Sequence, residues 1–210
     1  MIRNNYLRRK LISFPLPSEK LAEFIGIFLG DGSFRNRYQI AISYNYKNEV
    51  PYARYIENLT IEFFGLKTKR PVREKYGSAD IIATSSNLVD FLSGTLRLND
   101  IREKDKFILP KWIKKYKIGY IRGLFDSEGC VYRHRYISNK KYYTYIKIAI
   151  TNYLSRVLVL SKKLLHDSGF HPVIYHNRIH LYNQREVNSF LELIGTNNNK
   201  NRLRLKEFIS

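Results

Sequence analysis

The sequence predicts an α+β chain made of two similar halves, and three observations carry that expectation. Residues 21–34 (LAEFIGIFLGDGSF) and 118–131 (IGYIRGLFDSEGCV) copy each other at a constant offset of 97 residues. Each copy is followed by the same succession of alternating and helical patterns. The length of 210 residues suits two halves of about 100 residues around one shared core. The expected boundaries are a first half at 1–96, a linker at 97–117 and a second half at 118–210.

The offset sets Ala22 on Gly119, Gly26 on Gly123, Gly30 on Ser127, Asp31 on Glu128 and Gly32 on Gly129. Each copy thus carries a small residue at every fourth position, then an acid, then a glycine. Residues four apart share a helix face. A stripe of Ala, Gly and Ser lets two helices pack backbone against backbone, closer than the usual 8–10 Å or so between axes. The glycine after each acid is expected to end its helix in the left-handed conformation. If the two helices run parallel, Asp31 and Glu128 arrive side by side.

Stability alone argues against acids there. A carboxylate at a helix C-terminus faces the negative end of the macrodipole, an effect of roughly 0.3–1 kcal/mol. Two close carboxylates also repel. A divalent cation between them, or one under each, reverses both effects. Taken singly, an Asp-Gly after an apolar helix is an ordinary C-cap, and a glycine every fourth residue is ordinary packing. Two copies in register in a basic chain point to a functional acid pair, suited to metal-assisted hydrolysis of a phosphodiester.

The elements follow in order. The start, MIRNNYLRRKLISFPLP, is basic, and its apolar segment is too short for a secretory signal. It reads as a basic arm into the first helix, with a transit peptide as the alternative. Ser18 is the expected N-cap, with Glu19 in the first turn. In SFRNRYQIAISY (33–44), Phe34, Tyr38, Ile40 and Ile42 share one parity and Ser33, Arg35, Arg37, Gln39 and Ser43 the other. That is a hairpin with one apolar and one polar, basic face. Pro51 opens a helix over 51–64 that Gly65 closes. Residues 67–75 and 79–85 form a second hairpin across Tyr76-Gly77-Ser78, and 87–92 begin the helix that ends the first half. Pro110 breaks the basic linker, and Trp112 is expected to anchor it in a core.

The second half repeats this order. IAIT at 148–151 echoes IAIS at 40–43, after a hairpin lengthened by the basic, tyrosine-rich YISNKKYYTY (136–145). A helix at 154–168 stops at Gly169. Residues 173–176 and 179–182 pair across Asn177-Arg178, placing Tyr175, His180 and Tyr182 on one face and Ile174, Ile179 and Leu181 on the core face. A helix at 184–194 precedes Gly195, and TNNNKNRLRLK reads as a polar loop and a short basic helix.

Lys plus Arg number 37 against 18 acids, a formal charge of +19. Such an excess favours a polyanion, nucleic acid or an anionic membrane. No apolar run approaches the roughly 20 residues that span a bilayer. The single cysteine, Cys130, excludes an internal disulfide and a Cys-based zinc site. His176 and His180 fall on a hairpin, which argues against zinc there.

FIGIFLGDG (24–32) and IRGLFDSEG (121–129) resemble the paired motifs of the LAGLIDADG homing endonucleases, in the monomeric form with two motifs per chain. The resemblance covers most of the chain. It implies two pseudo-symmetric αββαββα halves, motif helices at their interface and antiparallel sheets forming a DNA-binding saddle. It further implies a site-specific, metal-dependent double-strand break in a long asymmetric DNA target, with Mg2+ or Mn2+ at the acids. Such a protein is encoded in an intron or intein, acts as a monomer on double-stranded DNA, needs no membrane and works inside the cell beside the genome it targets. The alternatives are a maturase that binds intron RNA and a cleavage-dead sequence-specific DNA-binding protein. The acid pair favours the nuclease, since binding alone does not require acids under a polyanion.

Asp31 and Glu128 are the expected catalytic and metal-binding acids. The carbonyls of Gly30 and Ser127 join them as ligands, because the last carbonyls of a helix lack internal partners. The family places a lysine near each acid, from the following strand end. Those ends read SYNYK (43–47) and TNYLS (151–155), so Lys47 serves the first site. The second has no lysine unless Lys147 or Lys141 folds in. Asn45 and Asn152 are expected to position water, with helix capping the alternative for Asn152. The polar strand faces supply DNA contacts from Arg35, Arg37, Gln39, Arg73, Lys75, Tyr132, His134, Tyr145, Lys147, Tyr175, Arg178 and His180; a solvated surface role is the alternative for each. Arg and Gln read guanine and adenine, while Lys mostly holds phosphates.

Overall fold

The computed structural model describes residues 10–99 and 108–209, so the first part of the basic arm and residues 100–107 of the linker lie outside the described residues. α1 (Glu19–Asp31) starts where expected, with the Ser18 hydroxyl accepting from the Leu21 amide at 3.2 Å. It runs directly into the hairpin β1 (Gly32–Asn36) and β2 (Gln39–Asn45). α2 (Val50–Phe64) has Pro51 in its first turn and ends on Gly65 at a left-handed φ of 61°. β3 (Thr68–Lys69), β4 (Val72–Arg73) and β5 (Ser78–Thr84) follow, then α3 (Ser86–Asp90), which widens into a π turn over Phe91–Thr95.

The second half runs α4 (Lys117–Glu128), β6 (Gly129–Ser138), β7 (Lys141–Thr151), α5 (Ser155–His166), β8 (Val173–Tyr175), β9 (Arg178–Leu181), α6 (Gln184–Leu193) and α7 (Asn199–Ile209). Both sheets are antiparallel. One is ordered β1-β2-β5-β3, with β4 also paired to β5; the other is β6-β7-β9-β8. IAIS in β2 and IAIT in β7 thus occupy equivalent strands, each flanked on both sides. Their inward residues Ile40, Ile42, Ile148 and Ile150 join Phe24, Ile27, Leu124 and Phe125 of α1 and α4 in one continuous core. No helix among the described residues is long and apolar enough to cross a membrane.

Five details differ from the sequence reading, each for a local reason. Tyr38 lies in the β1–β2 turn and is 51% exposed, because the register shifts between Phe34 and Asn36 and moves it off the apolar face. The strand at 67–75 breaks into two short pieces around Pro71, which has no amide hydrogen for the ladder. The β8–β9 turn is His176-Asn177, one residue early; Tyr175 pairs with Arg178, and His176 takes the left-handed position at φ 51°. The face assignment survives, with Ile179 and Leu181 buried and Tyr175 exposed. In the linker, Ile113 is the buried anchor, while Trp112 is half-buried with its ring edge-on to Tyr116. Finally, Gly32 and Gly129 are extended, at φ −85° and −95°, not left-handed. They are glycines because a β-carbon would strike Phe28 and Phe125, 2.4 Å or less from ring atoms.

Candidate active site and nucleic-acid interface

α1 and α4 meet along the predicted small-residue stripe. A β-carbon on Gly123 would lie 2.0 Å from the Glu23 carbonyl oxygen, and one on Gly119 would lie 2.2 Å from that of Glu19. Further along, a β-carbon on Gly30 would meet Ser127 Oγ at 2.0 Å and Glu128 Cγ at 2.9 Å. The motif ends are therefore adjacent, and the two acids face neighbouring clefts. One cleft, of about 260 Å³, is lined by Asp31 and Ser127 together with Asn45, Glu49, Tyr76 and Lys200. The other, of about 230 Å³, is lined by Glu128 and Gly30 with Ser33, Asn99, Asn152 and Tyr153. Each cleft takes its acid from one helix and the residue that precedes the other acid from the other helix.

The electrostatics match that crowding. Burial pushes the Asp31 carboxyl well above the usual carboxylate range, Glu128 and Glu49 add to the rise, and Lys200 opposes it. Burial raises Glu128 as well, again opposed by Lys200. Among the described residues no group of three or more His, Cys, Asp or Glu side chains could hold a metal ion. The donor set is one motif carboxylate per cleft beside a helix-end backbone, with Glu49 also in the Asp31 cleft but engaged by Lys200. It fits a hard cation such as Mg2+, which binds through one or two carboxylates and keeps other positions for water and phosphate oxygens.

No family model matches the chain. A curated relative, the uncharacterized protein MJ0398 of Methanocaldococcus jannaschii, is 30% identical over 177 residues. That match covers 82% of this chain but 56% of the relative, so the chain spans about half the relative's length. The solved structure of I-DmoI in complex with DNA and Mn matches with a TM-score of 0.55 at 18% identity, over 84% of this chain and 96% of that one. The LAGLIDADG meganuclease I-AabMI bound to uncleaved DNA matches with a TM-score of 0.56 at 12% identity, over 85% and 86%. This is the two-motif LAGLIDADG fold. It also occurs in the N-terminal LAGLIDADG domain of DUF199/WhiA, matched with a TM-score of 0.56 at 19% identity, over 92% and 94%.

Within this LAGLIDADG fold the expected site residues separate. Asn45 reaches the Asp31 cleft, with Oδ1 accepting from the Lys47 and Asn48 amides. Lys47 does not line that cleft: it is exposed, with Nζ 5.8 Å from the Tyr46 ring centroid. The cation in the cleft is Lys200, 2.8 Å from Glu49 Oε1. Asn152 lines the Glu128 cleft, but its amide serves the structure. Nδ2 donates to the Leu29 carbonyl at 3.3 Å and Oδ1 accepts from the Leu154 amide at 2.9 Å, at the start of α5. Lys147 stands over the Tyr182 ring at 4.8 Å and is absent from the Glu128 cleft.

Sequence reasoning missed Glu49, Lys200 and Asn198. Glu49 gave a faint signal as the residue before the α2 start. Lys200 gave none, since its helix begins far along the chain from Asp31.

The DNA-facing candidates gather on the polar faces of the sheets. Arg35 of β1 and Arg73 of β4 both donate to Asp80 of β5 at 2.7 Å, so one buried carboxylate fixes two guanidiniums. Gln39 bonds Thr84 across the strands at 3.2 Å. Arg37 sits in the hairpin turn, and Lys75 lies on a 3-10 turn beside Tyr76 rather than on a strand. In the second sheet, Tyr132 pairs with Lys147 and His134 with Tyr145, on the same face as Tyr175, Arg178 and His180. The His180 ring stacks on Tyr182 at 5.2 Å. Burial, with Arg178 and Lys147 beside it, holds its pKa below the ordinary value.

Proposed function

We propose that this protein is a site-specific, divalent-metal-dependent DNA endonuclease that cuts both strands of a long asymmetric target. The observation that carries this is the crossed pair of clefts, each with one motif acid and the end of the opposite motif helix. Asp31 and Glu128 would hold Mg2+ or Mn2+, with the Gly30 and Ser127 carbonyls as further ligands. Bound metal supplies a Lewis acid that activates water and stabilises the leaving oxygen. The chain's own residues orient the phosphodiester: the basic sheet faces grip the backbone, and the paired arginines over Asp80 present fixed forks to base edges. Both clefts belong to one chain, so the protein acts as a monomer, wherever its target genome lies.

The test is incubation with a randomised-site plasmid library and Mg2+, followed by sequencing of the ends. A recurrent asymmetric cut sequence is the expected outcome; binding without cuts would leave a cleavage-dead DNA-binding protein. That second reading draws on Asn152, whose amide is engaged in structure, and on Lys47, which stands outside the cleft. A parallel splicing assay on intron RNA separates the maturase alternative.

A further inference from the structure

The Asp31 cleft is completed from the far end of the chain. Between α6 and α7, the segment Thr196-Asn197-Asn198 runs through the interface of the two halves. Asn197 Nδ2 donates to Glu23 Oε1 at 2.6 Å and to the Tyr55 hydroxyl at 3.1 Å. Asn198 is fully buried; its Nδ2 donates to Glu49 Oε1 at 2.9 Å in one half and to the Asp126 carbonyl at 2.8 Å in the other. Its Oδ1 accepts from the Lys200 amide at 2.9 Å, and Asn199 Nδ2 ties the same turn to the Asn48 carbonyl at 2.7 Å.

These bonds fix the first turn of α7 and with it Lys200. The Lys200 ammonium uses one donor on Glu49 Oε1, at 2.8 Å. Glu49 is itself held, its Oε2 accepting from the Asn45 amide at 2.8 Å. Burial pushes Glu49 up, but Lys200, Asn198 and the Asn45 amide together hold it below its ordinary value, so it stays an anion. The remaining Lys200 donors lie in the cleft that Asp31 lines, and 32% of the side chain is exposed there. Its charge is also felt at both acids.

We propose that Lys200 is a catalytic residue of the Asp31 cleft, meeting the scissile phosphate that enters there, with Glu49 and Asn198 as its positioning residues. The inference rests on the endonuclease reading. In the step, a water oxygen bonds to phosphorus as the bond to the leaving oxygen breaks; the water's proton passes to bulk solvent and the leaving oxygen takes up a proton from solvent. Lys200 transfers no proton; its ammonium donates hydrogen bonds to a non-bridging oxygen where negative charge gathers. The described residues lining the Glu128 cleft include no lysine or arginine. Lys200 lines the Asp31 cleft and not the Glu128 cleft, so it serves one strand more than the other.

The experiment uses the full chain, a plasmid carrying the target recovered from the library, Mg2+, and separate end labels on the two strands. Lys200→Met keeps the aliphatic stem and removes the charge. It is expected to slow one strand roughly a hundredfold, the cost typical of losing one such donor, and the other strand much less, so nicked circles accumulate. Lys200→Arg should restore part of the lost rate, and Glu49→Gln should slow the same strand by a smaller factor. Melting temperature should fall, since Lys200→Met leaves the largely buried Glu49 carboxylate without its cation. Adding Glu49→Gln should restore it without restoring the strand rate, and DNA affinity in Ca2+ should stay near wild type throughout. Equal slowing of both strands, or unchanged rates on both, overturns the inference while an active wild type keeps the endonuclease reading. A wild type that cuts no library member overturns both.

Discussion

Gly26 lies against the backbone of Tyr120: a β-carbon on the glycine would sit 2.2 Å from the Tyr120 carbonyl oxygen and 2.7 Å from the Leu124 nitrogen. Neither neighbour is a flexible side-chain end, so no rotamer change makes room. Gly26→Leu and Gly123→Leu are expected to prevent folding or lower the melting temperature sharply, beyond the roughly 1–3 kcal/mol of ordinary overpacking. Thermal unfolding followed by circular dichroism checks this; unchanged melting in either variant would contradict the contact.

Asp31→Asn should abolish double-strand cleavage while retaining DNA binding, since the carboxylate otherwise repels phosphate. Glu128→Gln should do the same. Cleavage and gel-shift assays on the same preparations separate the two effects, and full activity in Asp31→Asn would remove Asp31 from the catalytic site. A nick on one strand alone in Glu128→Gln would show that the clefts act separately.

Asp126 makes stability pH-dependent. Burial pushes its carboxyl up to about 7, with Glu23 adding to the rise, against the Thr196 hydroxyl and the Asn197 amide that donate to it. Its folded-state pKa is raised, so its stabilising contribution is fully present below the ordinary carboxylate range. That contribution is lost as pH rises through about 7. The urea midpoint of the wild type should fall between pH 5 and pH 8. Asp126→Asn, which cannot ionise, should show a smaller fall; an identical fall in both proteins would exclude Asp126 as a source.

Pseudo-symmetric clefts should cut opposite strands. If the sheets sit in the major groove on either side, the acids should face the minor groove between, and short 3′ overhangs are the expected products. Mapping both product ends tests this, and blunt ends or 5′ overhangs would mean a different arrangement. Binding should also weaken steeply with salt, as Lys and Arg displace counterions from phosphates.

What could be read without coordinates came from short-range order. The doubled motif named the acid pair, and the four-residue spacing of small residues announced the helix contact. Parity separated core from polar face over 39–43 and 173–182, failing at Tyr38 where the register shifts. Such signals survive in a sequence because helix and strand periods act over a few residues. Tertiary structure decided what depends on distant partners. Asn198 reaches Glu49 from 149 residues away, and Lys200 rather than Lys47 occupies the Asp31 cleft. Arg35 and Arg73 share Asp80 because β4 pairs directly with the Asp80 strand while β1 reaches it from across β2, and no local pattern encodes the Arg35 contact. Gly32 and Gly129 were legible as glycines after acids, yet their reason is the aromatic ring of Phe28 or Phe125 packed against each, a contact that exists only once the helix end turns into its strand. Periodicity tells which face of an element is buried; only the folded chain settles which side chains converge from opposite ends of it.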